Sequence, residues 1–212
     1  MSNLKILFLD IYKNEGFRIN KDVNGGFGTG NNYVGGFFTK LLAKYQKESI
    51  FWPPIYLAST MGVIESFGNK CKYTTNLKDA NNNFNVFILS SSIVACESEI
   101  EAIRFLKNFK IPILIIGPFA STCPEKYIQN GANVLIGEPD TILLSNPEIL
   151  KQLKNKGETI YPFNKPASIE ELPIPSWGKI FKHKKCVMGF LGSGYSLPIY
   201  ASRGCPYSCF NY

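Results

Sequence analysis

The sequence predicts an α/β domain of three layers, a parallel sheet covered by helices on both faces, over residues 1–150. Two observations predict it. Strand and helix patterns alternate along the chain, and the runs VFILSSS (86–92) and IPILIIG (111–117) are apolar almost throughout, so they need cover on both faces. Crossover helices packed right-handed onto a parallel sheet provide that cover.

The first element is KILFLDIY (5–12), a β-branched and aromatic strand closed by polar residues, and the Gly-rich loop NGGFGTGNNYVGG (24–36) follows it. Helical spacing marks FFTKLLAKYQK (37–47) and IYLASTMGVIESFG (55–68), the second with Pro53 and Pro54 at its start and Gly68 at its end. KCKYTTN, 71–76 with its lead-in, reads as a strand, DANNNFN (79–85) as a surface connection and VFILSSS as the next strand. Helix ESEIEAIRFLKNF (97–109), strand IPILIIG, short helix PEKYIQNG (124–131) and strand NVLIGE (133–138) complete the βαβαβ order. This is the flavodoxin-like or Rossmann-like arrangement, in which ligands lie outside the carboxyl ends of the strands. Those ends carry Asp10 and the Gly-rich loop, Ser90 to Ser92, the turn GPFAST (117–122) and GEPD (137–140). The loop itself lacks the helix start and the downstream acidic residue of a dinucleotide fingerprint, and it is not a GxxxxGK[ST] loop.

Composition narrows the class. Apolar residues make up 45% of the 212 and charged residues 18%, the balance of a globular chain rather than a disordered one. Six scattered cysteines, only Cys205 and Cys209 closely spaced, indicate a reducing compartment and a cytoplasmic protein. No run reaches the roughly 18 apolar residues of a membrane span, and Asp10 interrupts the apolar amino terminus before it resembles a signal peptide. The formal charge of +7 is dispersed, with a single knot at FKHKK (181–185), so nucleic acid is not the expected partner.

Beyond residue 150 the texture changes. The segment 151–195 is rich in Lys, Glu and Pro and is expected to be a linker, with extended pieces around TIYPF and ELPIP. Residues 196–212 open a new strand, LPIYAS (197–202), that feeds a cysteine loop and belongs to a barrel expected to lie outside this chain.

RGCPYSC (203–209) resembles the opening of the CxxxCxxC motif of radical S-adenosylmethionine enzymes. IIGPFASTCPEKYIQNGANVLIGEPD (115–140) is similar to the signature of the cobalamin-binding subgroup of that family, and ELPIPSW (171–177) resembles its Leu-Pro-x-Pro linker. The resemblance implies a cobalamin-binding domain, followed by the first strand of a truncated partial barrel. It implies a 4Fe–4S cluster and S-adenosylmethionine in the full-length family, with Cys205 and Cys209 as the first two metal ligands. The third ligand position is Tyr212, a hard oxygen donor that substitutes poorly for a thiolate on iron. The chain is therefore expected to bind cobalamin without being catalytic by itself, with a barrel supplied in trans as a candidate partner. His183, the sole histidine, is far from the first strand, so the corrin is expected base-off without histidine ligation. Its nucleotide tail is expected beside Ser90, Ser91, Gly117, Thr122, Gly137 and Glu138. Strand-end capping is the alternative for Ser90 and Ser91, and a helix first turn for Glu138. A flavodoxin-like or receiver-like domain for flavin or a protein partner is the alternative class, although Asp10 has no neighbouring acidic residue to form a receiver cluster.

Overall fold

A computed structural model of the chain describes residues 3–11, 36–41 and 55–181, with 197 and 199. Its centre is a six-stranded sheet, all parallel, in the order β2-β1-β3-β4-β5-β6. The strands are β1 (Lys5–Leu9), β2 (Lys70–Thr74), β3 (Val86–Ser90), β4 (Ile113–Ile116), β5 (Asn133–Leu135) and β6 (Thr159–Ile160). Helices α1 (Ile55–Ser66), α2 (Cys96–Leu106), α3 (Pro118–Thr122), α4 (Glu125–Ile128), α5 (Pro139–Ser145), α6 (Ile149–Gln152) and α7 (Trp177–Phe181) accompany them. The predicted three-layer domain is present.

The alternation of side chains along each strand builds two cores. Ile6, Phe8, Ile88, Leu114, Ile116 and Leu135 face one layer, where Leu57, Met61 and Ile64 of α1 and the apolar residues of α5 and α6 meet them. Leu7, Leu9, Phe87, Leu89, Ile113, Ile115 and Val134 face the other, against Ala102, Ile103 and Leu106 of α2 and the ring of Tyr127. Because β3 and β4 are buried at every position, no face of these strands is left for polar residues. That is why their sequences are apolar without a break.

Helix α1 departs from an ordinary surface helix. Its residues are buried consecutively from Ile55 to Ile64, so it is enclosed on all sides rather than amphipathic. The sheet covers one side, α5 packs beside it, and the described part of the 151–195 segment lies across the rest. That part is laid on the domain as a strap. The Ser176 N–H donates to the Ala58 carbonyl, the Ser176 hydroxyl to Glu65, and Lys179 pairs with Glu65 at 3.2 Å. Ile180 is fully buried at its end. Gly62 makes the close crossing possible, since a Cβ there would stand 2.5 Å from the Ile174 carbonyl oxygen.

The same segment supplies the sixth strand. Val134 N–H donates to the Glu158 carbonyl and Ile136 N–H to that of Ile160, which sets Thr159–Ile160 parallel beside β5. Two residues ahead of Pro162 are too few to show a strand period, so the extended piece around TIYPF gave no sign of joining a sheet. Asn146 then holds the chain, accepting from Phe163 and Asn164 N–H at 3.2 and 2.7 Å. Of the expected helix 37–47, residues 37–41 are helical, and the remainder lies outside the described residues, as does the Gly-rich loop up to Gly35. Among the described residues no helix is long and apolar enough to cross a membrane.

Candidate functional site

The strand order reverses between β1 and β3: the chain passes from β1 outward to β2, then returns to the other side of β1. Connections leave in opposite directions at such a point, the place where sheets of this kind generally take ligands, and here it falls at the strand ends that carry Asp10 and Ser90. Asp10 follows β1 directly and is completely buried. Its Oδ1 accepts from the Ser90 hydroxyl at 2.9 Å and its Oδ2 from the Tyr73 hydroxyl at 2.8 Å. One carboxylate thus ties the ends of the three strands β2, β1 and β3 together. Its desolvation is offset by charge-assisted hydrogen bonds from hydroxyls on both sides.

The neighbouring turns are fixed in the same way. Ser91 accepts the Ala120 N–H at 3.0 Å, joining the end of β3 to α3. Gly117, between β4 and α3, sits at φ 114° and ψ 169°, a region open to glycine alone. A Cβ there would stand 2.9 Å from the Ser91 hydroxyl and 3.0 Å from that of Tyr56. Ser121 donates to the Gly117 carbonyl and accepts the Gly137 N–H at 3.1 Å, bridging the β4 and β5 turns. On the other side of β3, Ser92 meets Glu99 of α2 twice, N–H to Oε2 at 3.3 Å and hydroxyl to Oε1 at 3.1 Å. Tyr127 of α4 donates to Glu99 Oε2 at 2.6 Å.

The six expected ligand residues therefore separate into two groups. Ser90, Ser91 and Gly117 are buried, with both serine hydroxyls bonded within the protein. Thr122, Gly137 and Glu138 are exposed at the same edge of the sheet. Thr122 returns its hydroxyl proton to the Pro118 carbonyl, and the carbonyl of Glu138 accepts the Ile142 N–H at the start of α5. Cys205, Cys209, Tyr212 and His183 lie outside the described residues, among which no group of three metal-ligating side chains occurs.

Sequence reading passed over Glu99 and Tyr127. A signal for the first exists: Cys96, Glu99, Ala102, Ile103 and Leu106 form the buried stripe of α2, so a carboxylate stands in a row of apolar residues. A charge in that position requires a buried partner. The partner, Tyr127, comes from a four-residue helix whose pattern is too short to place it.

Burial has a measurable consequence for alkaline stability. Burial, then the charge of Glu99, pushes the Tyr127 phenol far above its ordinary value of 10.0. Burial, then Glu65, pushes the Cys71 thiol far above 9.0. Both groups stay protonated in the fold while the unfolded chain gives up their protons as pH rises past those ordinary values. Their contribution is therefore complete below about pH 9 and declines above it. We expect the urea midpoint to hold between about pH 7 and 9 and to fall beyond it. Cys71→Ala and Tyr127→Phe should each flatten that fall, and an unchanged alkaline slope in both variants would contradict the assignment.

No family model, curated protein or solved structure matches the chain.

Proposed function

We propose that this chain is the cobalamin-binding portion of a radical S-adenosylmethionine enzyme, taking the corrin base-off at the carboxyl edge of its sheet. The supporting observation is the strand order, which puts its switch point between β1 and β3 and brings the turns at 117–122 and 137–138 to the same edge. In this reading Thr122, Gly137 and Glu138 border the nucleotide tail. Ser90, Ser91 and Gly117 lie in the layer beneath it, and Asp10 ties the strand ends of that layer together through Ser90 and Tyr73. A buried, hydrogen-bonded layer gives a flat ligand a surface that needs no reordering when it binds.

The corrin, when bound, supplies a redox-active cobalt. The protein's part is to seat it and to exclude water beneath it. Tyr212, a hard oxygen donor, stands where the third thiolate of the cluster would be, so cluster chemistry at Cys205 and Cys209 is not part of this reading.

The test is optical. After incubation with hydroxocobalamin and desalting, the corrin spectrum should co-elute with the protein. Thr122→Arg, at that exposed edge, should weaken retention about tenfold, equivalent to roughly 1.4 kcal/mol, without shifting the unfolding midpoint. Unretained corrin beside retained flavin mononucleotide would replace this reading with a flavodoxin-like one, and loss of both would remove it.

A further inference from the structure

The opposite, amino edge of the sheet carries a second concave site. Three connections converge there: the one entering β4 after Lys107–Phe109, the one from α4 to β5, and the one from α6 to β6. They enclose an open cavity of about 290 Å³ lined by Lys107, Lys110, Ile111, Ile113, Gly131 and Asn155. Its volume is near the lower end of small-molecule sites, about 300 Å³.

The lining is organised rather than incidental. Lys110 is the one non-glycine residue with positive φ among the described residues, at 55°, and its carbonyl accepts the Asn155 side-chain amide. This bond anchors the β6 connection to the β4 connection across the cavity. The amine of Lys107 lies 3.0 Å from the point a Cβ on Gly131 would occupy, so its side chain is laid over Gly131 at the cavity wall. Glycine at 131 leaves the room for it.

Among the described residues the charge of this lining is not compensated. The lining contains two lysines and no carboxylate, and neither lysine forms an ion pair with any described residue. Cations at the end of α2 complement the helix dipole, which explains a lysine there. It does not explain an amine folded over a glycine at the wall of a cavity that Ile111 also lines. A point-charge amine suits phosphate, and a pair of them matches a divalent anion.

We propose that this cavity binds a small phosphate monoester, the phosphate between Lys107 and Lys110 and a compact apolar or planar body against the partly exposed Ile111. The site is separate from the carboxyl edge and does not depend on the cobalamin reading.

Calorimetry on the full, cobalamin-free chain tests it with phenyl phosphate, inorganic phosphate and benzoate as probes. Phenyl phosphate should bind saturably and more tightly than either of the others, with affinity falling as salt is raised. Lys107→Gln and Lys110→Asn should each weaken it about fivefold, the worth of one amine-to-anion contact in water. Asparagine tolerates the left-handed backbone at 110, and Lys107→Gln carries the test alone if the other variant unfolds. Absence of saturable binding, or binding that Lys107→Gln leaves unchanged, overturns the proposal. Benzoate binding more tightly than phenyl phosphate overturns the phosphate assignment.

Discussion

Asp10→Ala is expected to lower the unfolding free energy by about 4 kcal/mol, because it leaves two buried hydroxyl donors without their acceptor. The donors are Tyr73 on β2 and Ser90 on β3, so the loss falls on both strands flanking β1. Asp10→Asn should cost far less, about 1 to 2 kcal/mol. The amide keeps one acceptor oxygen, and a hydroxyl can rotate to accept from the new N–H. The order wild type, Asn, Ala in chemical denaturation is the measurement, and an Ala variant within about 0.5 kcal/mol of wild type would refute the tying role. In the proposed function the same variant also loosens the layer beneath the nucleotide tail, so corrin retention should fall with Ala more than with Asn.

Gly62→Ala is the second large effect, and two physical terms oppose each other in it. Alanine in the middle of a helix gains about 1 kcal/mol over glycine by propensity. The added Cβ would, however, stand 2.5 Å from the Ile174 carbonyl oxygen and 3.3 Å from the Pro175 Cα, both backbone atoms that cannot rotate away. The strap must lift from α1. With it go the Ser176 bond to Ala58, the Lys179–Glu65 pair and the burial of Ile180. Loss of one fully buried Ile side chain is worth about 1.5 to 3 kcal/mol by itself. The net change is therefore destabilising, and its distinctive sign is local. Limited proteolysis should cut within 161–181 in the variant at protease levels that leave the wild-type chain intact. If Gly62→Ala raises stability and the strap remains protected, helix propensity has won and the crossing has room for a methyl group.

The strap belongs to the domain it crosses. A linker of Lys, Glu and Pro would be expected to run through solvent. Here its described part instead adds a strand to the sheet, is clamped by Asn146, and crosses α1 on a side that neither the sheet nor α5 covers. The Pro-rich composition is compatible with this because extended proline-containing backbone needs few partners of its own, and Ser176 supplies the N–H that the prolines lack. Residues that looked like spacing are part of the packing of α1.

The sheet was legible in the sequence because burial on both faces is a local property. VFILS and ILII carry it residue by residue, and any arrangement that hides both faces of such strands also predicts a parallel sheet with helices on either side. The turns at Gly117 and Gly137 were legible for the same reason, since glycine at a strand end reports a conformation set within a few residues. What the hydroxyls and carboxylates do was not legible. Asp10 finds Tyr73 at a separation of 63 residues and Ser90 at 80, and Glu99 finds Tyr127 at 28. Such pairings exist only once the strand order is set. Whether Ser90 and Ser91 face a ligand or the protein, whether Thr159–Ile160 joins the sheet, and whether residues 172–181 drift or dock were all decided by tertiary contacts. A short polar side chain bonds to whatever the fold brings within about 3 Å, and its own neighbours in sequence do not say what that is.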